Sequence, residues 1–274
     1  MTDWPFDAET TLAPTDFLGG IGQVFAVFDS RTQDSGNVSY GVEAGGRRWF
    51  VKTAGDPAAK AFLSQPERVA LLRNAERLAR DFSHPALPAL LAVGDSAWGP
   101  MLIYDWAEGE LLHAPAERRA DPATAHRRFR RLPAPEIAAA IDAIIGAHVG
   151  LCGRGWVACD FYDGSMMYDF TARRPTLFDL DSYSQGPFVN EMGRLFGSDR
   201  FMAPEEFEKG ALIDERTTVF NLGRAAAEFL GDGTLERERF RGTVAQHAAM
   251  AHACRPDRGE RFPSVAELAA AWRG

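Results

Sequence analysis

Short apolar runs separated by polar or glycine turns mark the first part of the chain. Residues 23–28, 38–43 and 47–53 are rich in β-branched, aromatic and other apolar side chains and are bounded by turn-forming residues, which predicts three strands. A polar loop over 29–37 and a Gly45-Gly46 turn join them, the second a connection suited to a tight hairpin. Helical spacing follows. Ser64-Gln65-Pro66-Glu67 reads as a capping box with an early proline and opens a helix to Phe82, with Leu71, Ala75, Leu78 and Phe82 as its apolar stripe. An apolar run over 101–105 follows, then a stretch over 112–134 rich in Pro, Ala and Arg. Pro135 opens a second helix with Ile137, Ile141, Ile144, Ile145 and Val149 at helical spacing, stopped by Gly153 and Gly155. Beyond it, a short apolar strand leads into a turn at Asp160, and apolar runs over 166–170 and 175–180 read as a hairpin. Ser264-Val265-Ala266-Glu267 caps a last helix. Residues 1–22 mix Pro, Thr, Asp and Gly and read as an arm without chemistry of its own.

Composition narrows the class. With 274 residues, 46% of them hydrophobic, the chain can bury the core of one large or two modest domains. A formal net charge of -8 argues against holding nucleic acid by overall field. Cys152, Cys159 and Cys254 are odd in number and show no metal-ligand spacing, which suits a reducing compartment. There is no basic segment followed by an apolar run at the N-terminus, and no apolar stretch approaches ~20 residues, so the expectation is a cytoplasmic protein without a membrane segment.

The candidate chemistry gathers in 156–181. Asp160 sits in a turn after an apolar strand, Ser165 lies five positions on, and Asp179 follows the hairpin-like runs, so two carboxylates come to one edge of a small sheet. Lys52 stands out in a chain that otherwise uses Arg for nearly all its cations, Lys60 and Lys209 being the other lysines. The bulky Trp49, Phe50 and Val51 before it predict partial burial, and a buried strand amine wants an anion. Cys159 reads as a small packed hydrophobe rather than a nucleophile. The basic run 126–131 reads first as a solvated face and otherwise as a holder of an acidic partner.

These residues, with Phe50-Val51-Lys52 upstream and Gly197 to Glu205 (GSDRFMAPE) downstream, resemble the ordered motifs of the protein kinase family: V-A-I-K, H-R-D-x-x-x-x-N, D-F-G and G-T-x-x-Y-M-A-P-E. The resemblance covers roughly 23–272. It implies an α+β bilobal kinase-like fold, with an antiparallel-sheet N-lobe over 23–105 and a mainly helical C-lobe over 106–274. It also implies ATP and Mg2+ as ligands, a protein Ser/Thr substrate of a bacterial-type kinase, Asp160 as the base and Lys52 on the phosphates. Asp179 and Ser165 would hold metal, and the loop Thr32-Gln33-Asp34-Ser35-Gly36-Asn37 would occupy the place of the glycine-rich loop, with Ser35, Gly36 and Asn37 on the nucleotide. The same alignment gives the backbone of Tyr104 to Trp106 for adenine and Glu110 for the ribose. The helix acid that pairs with Lys52 is left open between Glu67 and Glu76. Val219 to Leu230 resembles the buried D-V-W-S-L-G helix, with Thr218 at the aspartate position, and Arg261-Phe262-Pro263-Ser264 resembles the late R-P-S signature, which implies a partly buried Glu205–Arg261 ion pair.

The chain departs from the family pattern at a loop with one glycine, at Ala158-Cys159 before Asp160, at Ser165 and at Leu180-Asp181. No arginine precedes Asp160 to receive a phosphorylated segment, which implies constitutive or partner-controlled activity. A pseudokinase scaffold is the second reading, and a small-molecule kinase related to aminoglycoside phosphotransferases the third.

Overall fold

The apolar-rich strands meet in one five-stranded antiparallel sheet of order β1-β2-β3-β5-β4, built from β1 (Gln23–Phe28), β2 (Val38–Ala44), β3 (Arg47–Thr53), β4 (Leu90–Ser96) and β5 (Gly99–Asp105). The computed structural model describes Trp4, residues 7–29 and residues 35–274. The chain divides into two compact units, 1–83 with 88–107 and 84–87 with 108–274, and the whole is of mixed α+β class.

In the first unit, β3 shows why its pattern folds as it does. Trp49 and Val51 point into a cluster with Trp4, Leu18, Tyr40, Val42, Met101 and Ile103, while Lys52 alternates to the other face opposite Ser39 and Leu102. Leu102 packs there with Ala54, Leu72 and Ala75. The stretch read as an arm is part of this core. Residues Pro14–Ile21 form α1, whose Leu18 is fully buried, and a Cβ at Gly94 of β4 would meet Ala8. An apolar Leu18 at the centre of a short helix outweighs the loop-like composition around it. The helix predicted from the capping box is α2 (Gln65–Asp81), and Ser64 and Glu67 close the box as read. Its buried face is Arg68, Leu72, Ala75 and Leu78, so Leu72 rather than Leu71 faces inward.

In the second unit, β6 (Glu110–Leu111), β8 (Met166–Asp169) and β9 (Arg174–Leu177) make a small sheet of order β6-β8-β9, and the 166–180 runs are a hairpin as expected. Residues 84–87 belong here because Leu177 N–H donates to Ala86 O at 2.7 Å, which moves the expected boundary. The helices are α3 (Ala125–Arg130), α4 (Ala134–Cys152), α5 (Glu215–Leu230), α6 (Val244–Ala253) and α7 (Val265–Arg273), joined by short ribbons that pair β7 (Trp156–Val157) with β10 (Ser184–Gln185) and β11 (Phe188–Val189) with β12 (Leu212–Ile213). α4 is the one described helix long and apolar enough to cross a bilayer, yet its Ile137, Ile141, Ile144, Ile145 and His148 are buried within this unit, as in a core helix. The basic run is not a free solvated face. α3 buries His126 and Phe129, while Arg128 and Arg130 pair with Glu110 and Asp232.

Candidate functional site

The hairpin register accounts for the placement of the two acids. Met166 faces Leu177, and the ladder continues where Phe178 N–H donates to Ser165 O at 2.9 Å, so Asp179 emerges beside the turn that carries Asp160. Among the described residues only Asp160, Arg173, Asp179 and Asp232 are non-glycine residues at positive φ, and the two motif acids stand at 59° and 61°. Asp tolerates this left-handed backbone better than most side chains, and such conformations gather at functional sites. Asp179 is exposed, Asp160 half-buried and Asp181 buried. A Cβ on Gly197 would stand 3.8 Å from Asp160 Oδ1, so the 197–205 segment returns to this carboxylate.

Beneath the acids lies a neutral pair. His148 of α4 gives its Nδ1–H to Ile144 O at 2.8 Å, which leaves Nε2 to accept the Tyr183 hydroxyl at 2.8 Å. Burial holds His148 down at about 4. Burial, with Cys159, Cys152, Asp160 and Asp179 nearby, pushes the Tyr183 phenol up, which places both motif acids within electrostatic reach of one side chain.

The turn after Asp160 is fixed by Asp163, which is wholly buried. It accepts from Arg200 Nη2 at 2.5 Å and bonds His113 at 2.9 Å, while Arg200 Nη1 and His126 both reach Glu228 Oε1 at 2.9 Å. Burial would raise the Glu228 carboxyl, but the His126 bond and the Arg200 charge hold it at about 2. Ligand atoms of His126, Asp163 and Glu228 lie within 4.8 Å of one another, the spacing of a cation site, and the Arg200 guanidinium already spans both carboxylates. None of these five residues stands at a fixed letter of a matched motif, although Asp163, Arg200 and Glu228 fall at variable positions inside matched segments. The sequence signal for Asp163 is a second acid three residues after Asp160; for the others, helical or turn spacing conceals the contact.

Ser165 is committed to the turn. Its hydroxyl donates to Tyr162 O at 2.8 Å and accepts from Tyr162 N–H at 3.3 Å, leaving one lone pair, so its first role is to close the turn. Thr218, at the aspartate position of the buried helix, accepts the Ala158 N–H at 3.0 Å. Burial pushes the Cys159 and Cys152 thiols up to about 12, in keeping with packed rather than reactive sulfurs. Glu205 and Arg261 form the expected pair, bidentate at 2.6 and 2.9 Å, both buried.

Next to them, burial raises Glu206 to about 7, against bonds from Ala203 N–H and Asn221 that lower it. The folded state therefore binds this proton more tightly than the unfolded chain. Its contribution is complete below the ordinary carboxyl range and is lost as pH climbs to 7, a decline of about 3 kcal/mol from this group alone. Melting curves between pH 5 and pH 8 should show the decline in the native chain and a flatter profile for Glu206→Gln; equal slopes would remove the assignment.

In the first unit, Lys52 is 7% exposed. On its face of the sheet, Phe50 lies 5.8 Å from Phe28 and 6.5 Å from Trp106, and Phe25 meets Trp106 edge-on at 4.9 Å. Gly41 makes room for these rings: a Cβ there would stand 2.7 Å from Phe25 and 3.0 Å from Trp106. Of the loop candidates, Ser35, Gly36 and Asn37 are placed, with Asn37 N–H on Ser35 Oγ at 3.3 Å, whereas Thr32, Gln33 and Asp34 lie outside the described residues. The backbone donors expected for adenine are drawn into the sheet: Asp105 N–H donates to Ala89 O at 3.0 Å and Trp106 N–H to Arg48 O at 3.4 Å. Tyr104 packs beside Leu72 and Ala75. Glu110 in the second unit accepts from Arg128 at 2.7 Å on both oxygens, so the ribose expectation meets an existing partner, although an exposed pair of this kind exchanges readily. The helix acids are also engaged, Glu67 with Ser64 at 2.7 and 2.6 Å and Glu76 with Arg73 and Arg80, each at 3.0 Å.

No protein-family model matches this chain, and no curated protein matches it.

Proposed function

We propose that this chain is a divergent kinase-like phosphotransferase that moves the γ-phosphoryl group of ATP to a Ser or Thr hydroxyl of a protein. The observation that carries the reading is the buried Glu205–Arg261 pair, which the ordered motifs require of two segments distant in sequence. Asp160 and Asp179, both in left-handed backbone before and after one hairpin, support it, as do a buried strand amine and an aromatic, glycine-floored face beside it.

In this reading Asp160 accepts the proton of the attacking hydroxyl as the oxygen bonds to phosphorus and ADP leaves. Lys52 offsets charge on the nonbridging oxygens. An exposed carboxylate is the hard oxygen donor that Mg2+ prefers, so Asp179 fits the ion, with Ser165 able to offer its remaining lone pair. When bound, the ion would neutralise phosphate charge. Arg200 tying Asp163 to Glu228 gives the 197–205 segment a built-in anchor, which supports activity without phosphorylation of that segment.

The test pairs two measurements. A hundredfold excess of Mg-ATP over Kd should raise the melting temperature by roughly 5–10 °C, and labelled ATP should mark a generic protein substrate. A shift without transfer favours the scaffold reading, for which the single-glycine loop and the committed Ser165 speak. The absence of both shift and transfer overturns the phosphotransferase reading and leaves a scaffold that works through a partner.

A further inference from the structure

The first unit buries a guanidinium among backbone carbonyls. Arg68 of α2 is 1% exposed; its Nη1 donates to Gly36 O at 2.6 Å, its Nη2 to Asp56 O at 3.1 Å, and its Nε is buried with no partner. Among the described residues no carboxylate meets it, and burying a cation without a counter-charge costs several kcal/mol, offset here only by its two carbonyl bonds.

Its surroundings say what the position does. Gly36 and Gly55 stand at φ of 88° and 70°, in the left-handed region that favours glycine. A Cβ at Gly36 would fall 2.2 Å from Ala61 Cβ and 3.2 Å from Arg68 Nη1. One at Gly55 would fall 2.3 Å from Gly36 O and 3.1 Å from the same nitrogen. Thr53 Oγ1 closes the other side, donating to Val38 O at 2.7 Å and accepting from Gly55 N–H at 3.2 Å. Two glycines, one threonine and one arginine thus clasp the point where residues 35–37 enter β2. The two helix acids are turned elsewhere, to the cap and to surface arginines, and the residue α2 buries in its first turn is this cation.

We infer that Arg68 is a positioning residue for nucleotide: it holds the backbone of residues 35–37 in one conformation. This rests on the nucleotide reading of the site. A loop with a single glycine at 36 has its conformation imposed by a side chain from the neighbouring helix, where the family pattern relies on several glycines.

The experiment uses the full chain with Arg68→Lys, which keeps the stem and charge but reaches one carbonyl at a time, and Arg68→Met. KM for ATP should rise about tenfold in the lysine variant and further in the methionine variant, with kcat within about twofold. Without nucleotide, amide hydrogen exchange at residues 36–38 should quicken in both while far-ultraviolet circular dichroism stays unchanged. If Arg68→Met does not fold, Arg68→Lys carries the test. A folded Arg68→Lys with native KM and native exchange overturns the inference and leaves the nucleotide reading intact. An unmutated chain that binds no ATP overturns the reading itself, and that is seen before any variant is made.

Discussion

Asp160→Asn should lower phosphoryl transfer by roughly 10²- to 10⁴-fold, the range in which a positioned base contributes. The substitution is chosen for the backbone as much as for the charge. At φ 59° most side chains bring strain, and asparagine is, after glycine, among the residues that best adopt this conformation. The variant should therefore melt close to the native chain and keep its Mg-ATP-induced shift, because the base acts on the hydroxyl and not on nucleotide binding. Initial rates with labelled ATP measure the loss. Transfer at the native rate would take Asp160 out of the mechanism, and loss of the nucleotide shift as well would mean that the turn had collapsed.

Arg261→Met should destabilise the second unit by about 3 to 5 kcal/mol, because it strands the Glu205 carboxylate in a dry site. All five guanidinium N–H groups of Arg261 are used. Nε donates to Arg255 O at 2.7 Å, Nη1 to Glu205 at 2.6 Å and Arg216 O at 3.1 Å, and Nη2 to Glu205 at 2.9 Å and Pro256 O at 3.0 Å. Thr217 adds a hydroxyl bond to the same Glu205 oxygen at 2.8 Å, and the guanidinium lies over the Phe220 ring at 4.7 Å. A fall in melting temperature of roughly 10 °C follows from the size dependence of unfolding entropy. The double variant Arg261→Met with Glu205→Gln removes the stranded charge and should recover part of the loss. If the double variant is as unstable as the single, the cost lies in the three carbonyl bonds and not in the ion pair.

What could be read from the sequence was local or carried by ordered motifs. The strands at 23–28 and 47–53, apolar-rich and bounded by polar or glycine turns, match the structure residue for residue, and the Ser64 capping box starts α2 where the side-chain chemistry says it should. Glu205 and Arg261 could be paired in advance because each sits in a recognisable segment. The Asp163, Arg200, Glu228, His126 and His113 cluster could not, since its members come from five places in the chain and each, taken singly, reads as an ordinary surface charge. α1 was missed because Gly19 and Gly20 dilute its helical signal, while its burial depends on Trp4 and a sheet that do not yet exist at the level of the sequence. Leu71 and Leu72 are adjacent leucines, and only the direction of the sheet decides which of them is buried.

The bracing of Asp163 has a thermodynamic consequence for the turn that bears Asp160. Two cationic or imidazole groups grip each of Asp163 and Glu228, and the grip involves α3, α5 and the 197–205 segment, so the turn has little freedom left to lose when a reactant arrives. The entropy of ordering is surrendered once, during folding, rather than at every turnover, which is what preorganisation means in a polar site. The cost of motion is thus uneven around the cluster: the His113 ring is one-third exposed and the Arg200 side chain 19%, while Asp163 and His126 are fully enclosed, so any loosening of the brace starts at its two wetted members.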